Sequence, residues 1–109
     1  MSQELVAFVT TPNQEEALRL AENLVSERLC ACVNILPAIE SIYGWEGKVT
    51  KDQELLLIIK TSDERYQELE KRILELHSYT TPEVIAVKIE RGSNAYLEWL
   101  RQSVSLDSD

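Results

Sequence analysis

The chain has 109 residues, 44% apolar and 28% charged with three glycines and three prolines, the composition of one globular domain spanning 1–109 and not of a disordered segment. Its net charge of −8 repels phosphate backbones and anionic lipid, which argues against nucleic acid and membrane surfaces as partners. The start, MSQELVAFVTT, lacks the basic stretch of a signal peptide, and no apolar run nears the roughly 20 residues of a membrane span, so a cytoplasmic protein is expected.

Residues 5–10 form a short, nearly continuous apolar run with Val6, Phe8 and Val9, as a buried strand does. Pro12 and the Asn13…Glu16 pair then open a helix in capping-box style, with acids facing its positive end. Ala17, Leu18, Ala21, Leu24, Val25 and Leu29 recur at helical spacing, so this helix should run to about Leu29. Residues 31–43 are β-branched and extended. Pro37 within them cannot donate to a ladder and marks a bulge or an edge. GWEGK is a turn, and residues 48–60 are the returning strand.

A second capping pattern, residues 61–64, opens a helix whose apolar stripe is Tyr66, Leu69, Ile73 and Leu76. It should end near His77, because Pro82 disfavours helix before it. Residues 83–90 alternate as a fourth strand. Gly92 stops it, and Ser93 or Asn94 caps a last helix with Tyr96, Leu97, Trp99, Leu100 and Val104 at its apolar positions. The tail 105–109 reads as frayed. The order βαββαβ plus a C-terminal helix predicts an α+β, ferredoxin-like subunit: a four-stranded antiparallel sheet with two helices on one face and a long central hairpin. RNA-recognition modules share this order but need exposed sheet aromatics in a basic setting, which this acidic chain lacks.

The hairpin is too long for its cover. Thirteen-residue arms reach roughly 43 Å at about 3.3 Å per residue, whereas helices of about 15 residues cover only about 22 Å. Its outer half, with Ile39, Ile42, Tyr43 and Trp45, would lie bare in a monomer, so an obligate oligomer is expected.

The stretches ACVNI (31–35), SIYGWEGKV (41–49), ELLLIIKTS (54–62) and HSYTTPEVIAV (77–87) together resemble the CutA divalent-cation-tolerance family, in order and over nearly the whole chain. The resemblance implies a homotrimer of ferredoxin-like subunits, built like the nitrogen-signalling PII proteins and associated with copper and other divalent metals. Where the family reads His-Pro-Tyr-x-x-Pro-Glu, this chain has Ser78 in place of the first proline, which leaves the loop after His77 less stiff.

His77 is the only histidine, and imidazole is the commonest metal ligand. The plainer reading is a helix C-terminus, where histidine is favoured anyway. One histidine cannot hold copper tightly, so Cys32 and Glu83 are carried beside it as metal candidates. Cys30 and Cys32 would share a face if both lay on one strand, although core packing is the more common role of free cysteines. Glu54 and Lys60 share a parity of the third strand, at opposite ends. Lys60 pairing with Glu83 near Tyr79 would make a pocket for a small anionic or metal-bound ligand. In the family such residues line clefts between subunits, which makes Trp45, Glu54, Lys60 and Tyr79 the cleft candidates. Trp45 at a hairpin tip is equally an interface anchor.

No nucleophile elbow, HExxH or glycine-rich phosphate loop occurs, so no enzyme is expected. Two functions follow: a trimeric copper-tolerance protein binding divalent metal weakly at subunit clefts, or a PII-like or ACT-like sensor that holds a metabolite there and signals to a partner protein.

Overall fold

Alternation along the first strand decides what the rest must cover. Ala7 and Val9 are fully buried under the helices, while Val6 and Phe8 point to the other face. In the computed structural model, which describes residues 3–106, the elements run β1 (Glu4–Thr11), α1 (Gln14–Ser26), β2 (Cys32–Trp45), β3 (Lys48–Ser62), α2 (Asp63–Leu76), β4 (Val84–Lys88) and α3 (Asn94–Ser103). The strands form one antiparallel sheet in the order β2-β3-β1-β4. This is the expected ferredoxin-like arrangement. Leu20 and Leu24 of α1 and Leu69 and Ile73 of α2 pack with Ala7, Val9, Leu57 and Ile59 into the core on one face. α3 closes the end of the sheet where β1 begins, through Arg101 to Glu4 (2.8 Å) and through the Val104 carbonyl, which accepts from Arg65 Nε (3.0 Å).

Several boundaries differ from the sequence expectation. α1 ends at Ser26 and not near Leu29, because Arg28 turns left-handed (φ 61°) and the Leu29 N–H returns to the Leu24 carbonyl, a Schellman-type stop. The Arg28 guanidinium then holds the carbonyls of Gln102, Ser103 and Ser105, capping the far end of α3. At the start of α1, Asn13 accepts from the Glu16 N–H (2.8 Å), but the Glu16 carboxylate bonds the Ser78 N–H instead of completing a capping box. At the start of α2, Ser62 makes no side-chain cap; Asp63 Oδ1 accepts from the Gln3 N–H instead. β4 is shorter than 83–90, and Tyr96 and Trp99 of α3 are exposed, their rings in tilted contact at 5.4 Å between centroids. Ser105 of the expected frayed tail is tied to Gln102 and Arg28; residues 107–109 lie outside the described residues.

The hairpin overshoots as anticipated. β1 pairs with β3 only from Leu55 to Ser62, so Lys48 to Glu54 are held by β2 alone, an arm of about 23 Å at about 3.3 Å per residue. The turn is tighter than GWEGK. Glu46 and Gly47, at φ 51° and 78°, make a two-residue left-handed connection that matches strand twist. Pro37 does mark a bulge: register passes from Leu36↔Leu56 to Ile39↔Glu54, with Ala38 at φ 63°. On the arm, Trp45 is 62% exposed, and Ile42 and Val49 are barer still.

Candidate functional site

The hairpin arm, from Glu54 at its root to Trp45 at its tip, lines an open recess of about 890 Å³ together with the end of β1 and the loop after α2. Four expected cleft or metal residues line it: Trp45, Glu54, Tyr79 and Glu83. Sequence reading had missed the hydroxyls of Thr10, Ser41, Thr80 and Thr81 beside them. Glu54 is only 8% exposed, and its Oε2 accepts the Tyr79 phenol at 2.7 Å. Burial, and after it that bond to Glu54, push the Tyr79 phenol above the ordinary tyrosine range, so it stays a donor. Tyr43, also in the wall, donates to Asp52, and that bond raises its pKa as well.

His77 stands behind this wall and not in it. As the C-cap of α2 it donates its backbone N–H to the Ile73 carbonyl, and its side chain is buried. Nε2 lies 2.7 Å from the Thr10 carbonyl, which can only accept, so Nε2 carries the proton. Nδ1 accepts the Tyr79 backbone N–H at 3.1 Å. Glu16 Oε2 is 3.2 Å from Nδ1 but already takes the Ser78 N–H, and with a neutral ring the two acceptors merely approach. Both ring nitrogens are committed. The ring also packs on Tyr79 at 4.7 Å between centroids, so His77 sets the loop that carries Tyr79. Glu16 and Thr10 are the partners sequence reading overlooked; an acid at the third position of a helix looks like ordinary capping.

Lys60 and Cys32 belong elsewhere. They sit directly opposite each other at the α3 end of the sheet. Lys60 Nζ lies 3.7 Å from Cys32 Sγ and donates to Asn34, and the Tyr96 hydroxyl is 4.0 Å from the sulfur. Six residues of β3 separate Lys60 from Glu54, about 20 Å at about 3.3 Å per residue. Among the described residues of one chain the expected Lys60–Glu83 pairing is therefore absent. Cys30 precedes β2, so the same-face reasoning does not reach it; it is a core residue at 2% exposure. Burial, with Cys32 adding, pushes its thiol up to about 12, keeping it protonated and inert.

Within one chain, His77, Cys32 and Glu83 are thus not brought together, and among the described residues no three His, Cys, Asp or Glu side chains converge on a metal position. The donor set at the recess is oxygen (carboxylate and hydroxyl), which suits hard cations better than copper's preferred nitrogen and sulfur. The arrangement is a ferredoxin-like domain with an acidic recess, tyrosines and a tryptophan in its lining, along an over-long hairpin.

Residues 5–103 match the family described as CutA1 divalent ion tolerance protein, and the chain belongs to that family. It is 48% identical over 100 residues to the divalent-cation tolerance protein CutA of Thermus thermophilus, covering 92% of this chain and 97% of the relative. With the chloroplastic protein CutA of Arabidopsis thaliana it shares 52% over 99 residues, 91% of this chain but only 54% of that protein's length. The crystal structure of CutA1 from Oryza sativa superposes with a TM-score of 0.93 at 49% identity, covering 95% of each chain. Among the described residues no helix is long and apolar enough to cross a membrane.

Proposed function

We propose that the protein works as a homotrimer in the cytoplasm, binding divalent cations such as copper weakly and without catalysis at three clefts, each completed by a neighbouring copy. The observation that carries this reading is the acidic recess along a bare apolar arm. Glu54 and Glu83 line it, Asp52 stands behind Tyr43, and Trp45 and Ile42 beside them are apolar surface that a soluble chain covers by association. Weak binding accords with the lack of a converged ligand set in one chain. The free thiols of Cys30 and Cys32 accord with a reducing compartment.

A second reading is favoured by the size of the recess. About 890 Å³ is far more than a bare ion occupies and within the usual range of roughly 300–1,000 Å³ for small-molecule sites, so the cleft also suits a metabolite sensor that signals to a partner protein. Native mass spectrometry across a copper titration tests both. A trimer taking up three ions supports the first reading. A trimer that stays metal-free sinks it and leaves the second, and a monomer sinks the shared cleft.

A further inference from the structure

In the neutral ring His77 Nδ1 has one lone pair, and two groups compete for that nitrogen. The Tyr79 N–H donates to it at 3.1 Å, while Glu16 Oε2 stands 3.2 Å away with nothing to accept from it. A proton on Nδ1 reverses the preference. The nitrogen becomes a donor, Glu16 becomes its partner in a charge-assisted hydrogen bond, and the Tyr79 N–H loses its acceptor. We propose that protonation of His77 is a switch that exchanges these partners, frees the loop 78–81 and uncovers Glu54 in the recess. Every group in it belongs to one chain, so the switch goes beyond the cation-binding reading of the recess and stands whatever fills that space.

The surroundings of the ring favour an exchange of partners over a movement of the ring itself. Nε2 donates to the Thr10 carbonyl at 2.7 Å in either charge state, which holds the imidazole in place. Glu16 is buried, and the Ser78 N–H keeps its Oε2 beside Nδ1 through a bond of 2.9 Å. Proline, the residue of the family motif at this point, has no N–H to offer, so Ser78 supplies that anchor. Among the described residues, α1 turns Glu16 toward the ring and Arg19 toward the adjoining Leu76 carbonyl, β1 gives the Thr10 carbonyl, and the loop gives Tyr79, whose phenol stays protonated. Tyr79 transmits the exchange. Its ring lies 4.7 Å from the imidazole between centroids, and its phenol donates to Glu54 Oε2 at 2.7 Å. Once its acceptor is lost, the part-buried Tyr79 N–H has to turn toward water, and the side chain that covers Glu54 turns with it.

His77 is the only histidine, so its ring gives one unambiguous set of nitrogen resonances in 15N-labelled full-length protein. Long-range 1H–15N spectra between about pH 8 and about pH 5, where imidazoles ordinarily change charge, should show Nδ1 gaining a proton while Nε2 keeps its own. Over the same range the exchange protection of the Tyr79 amide, taken against its intrinsic rate at each pH, should fall at least about tenfold. Leu57 and Ile59 in the core should keep theirs. Glu16→Gln retains an acceptor for the Ser78 N–H but removes the charge. At the pH where the parent ring is half protonated, that variant should hold the single-proton ring and a protected Tyr79 amide. A ring that titrates with no loss of Tyr79 protection would overturn the switch by showing a structural histidine only. A ring that keeps one charge state throughout would overturn it as well. Both outcomes are read from the parent protein, so they decide even where Glu16→Gln does not fold. A titration that Glu16→Gln leaves unchanged would overturn the exchange of partners too.

Discussion

Replacing His77 by alanine separates a metal ligand from a structural tie. The imidazole donates to the Thr10 carbonyl at 2.7 Å and accepts the Tyr79 N–H at 3.1 Å, and its side chain is buried. His77→Ala removes both partners at once. Each group left buried without a partner costs about 1–3 kcal/mol, so the loss should be about 2–6 kcal/mol per chain, and the packing lost against Tyr79 adds to it. Equilibrium unfolding in guanidinium measures it, at one fixed protein concentration because association shifts apparent stability. His77→Gln, which retains an amide donor for Thr10, should lose less than the alanine variant. If His77→Ala unfolds within about 0.5 kcal/mol of the parent while copper uptake collapses, the structural account of this residue is wrong and the ligand account is right.

Three further outcomes are expected. Ser62→Ala should be neutral or stabilise by up to about 1 kcal/mol, since the Ser62 hydroxyl is buried without a partner among the described residues and makes no cap at α2; a lower urea midpoint would show that it has a partner after all. The Cys30 thiol holds its proton to about 12 in the folded chain against 9.0 as the reference, so its contribution is fully present below pH 9 and lost as pH rises through 12. The stability difference between the parent and Cys30→Ala should accordingly shrink by up to about 4 kcal/mol over that window, and a pH-independent difference would refute the assignment. Arg28→Ala, which strips the caps from the Gln102 and Ser103 carbonyls, should cost about 1–3 kcal/mol and speed amide exchange in α3 selectively; uniform exchange across the chain would count against it.

The sheet and its helices were readable because alternation and helical spacing report burial directly: Ala7, Val9, Leu57 and Ile59 face Leu20, Leu24, Leu69 and Ile73. The bulge at Pro37 and the overshoot of the arm followed from proline chemistry and length alone. The site was less legible. Parity correctly placed Glu54 and Lys60 on one face, but the partner across the ladder depends on register, and register depends on turn length. Counting back rung by rung from a two-residue Glu46-Gly47 turn, with one extra residue on β2 at the bulge, sets Cys32 opposite Lys60. A five-residue turn hid that rung. The links from Glu16 to Ser78 and from His77 to Thr10 span more than 60 residues, and no local pattern announces them.

Register and reach together give the recess its character. β3 outruns β1 at Leu55, so Glu54 is the first residue of the strand without a β1 neighbour, and the loop carrying Tyr79 comes across to cover it. Were the arm to stop there, Glu54 would meet solvent and need no partner. Because the arm continues, Tyr43 and Trp45 stand farther along it in the lining of the recess, and Glu54 keeps only 8% of its surface exposed. The same strand carries its lysine six residues away, pinned opposite Cys32 by the bulged register, too far to neutralise Glu54. Chain length encloses the negative charge and register withholds the internal cation. Among the described residues of one chain no cation reaches Glu54, so what neutralises it arrives from outside the chain, and whether that is a side chain of a neighbouring copy or a bound cation is the functional question this fold poses.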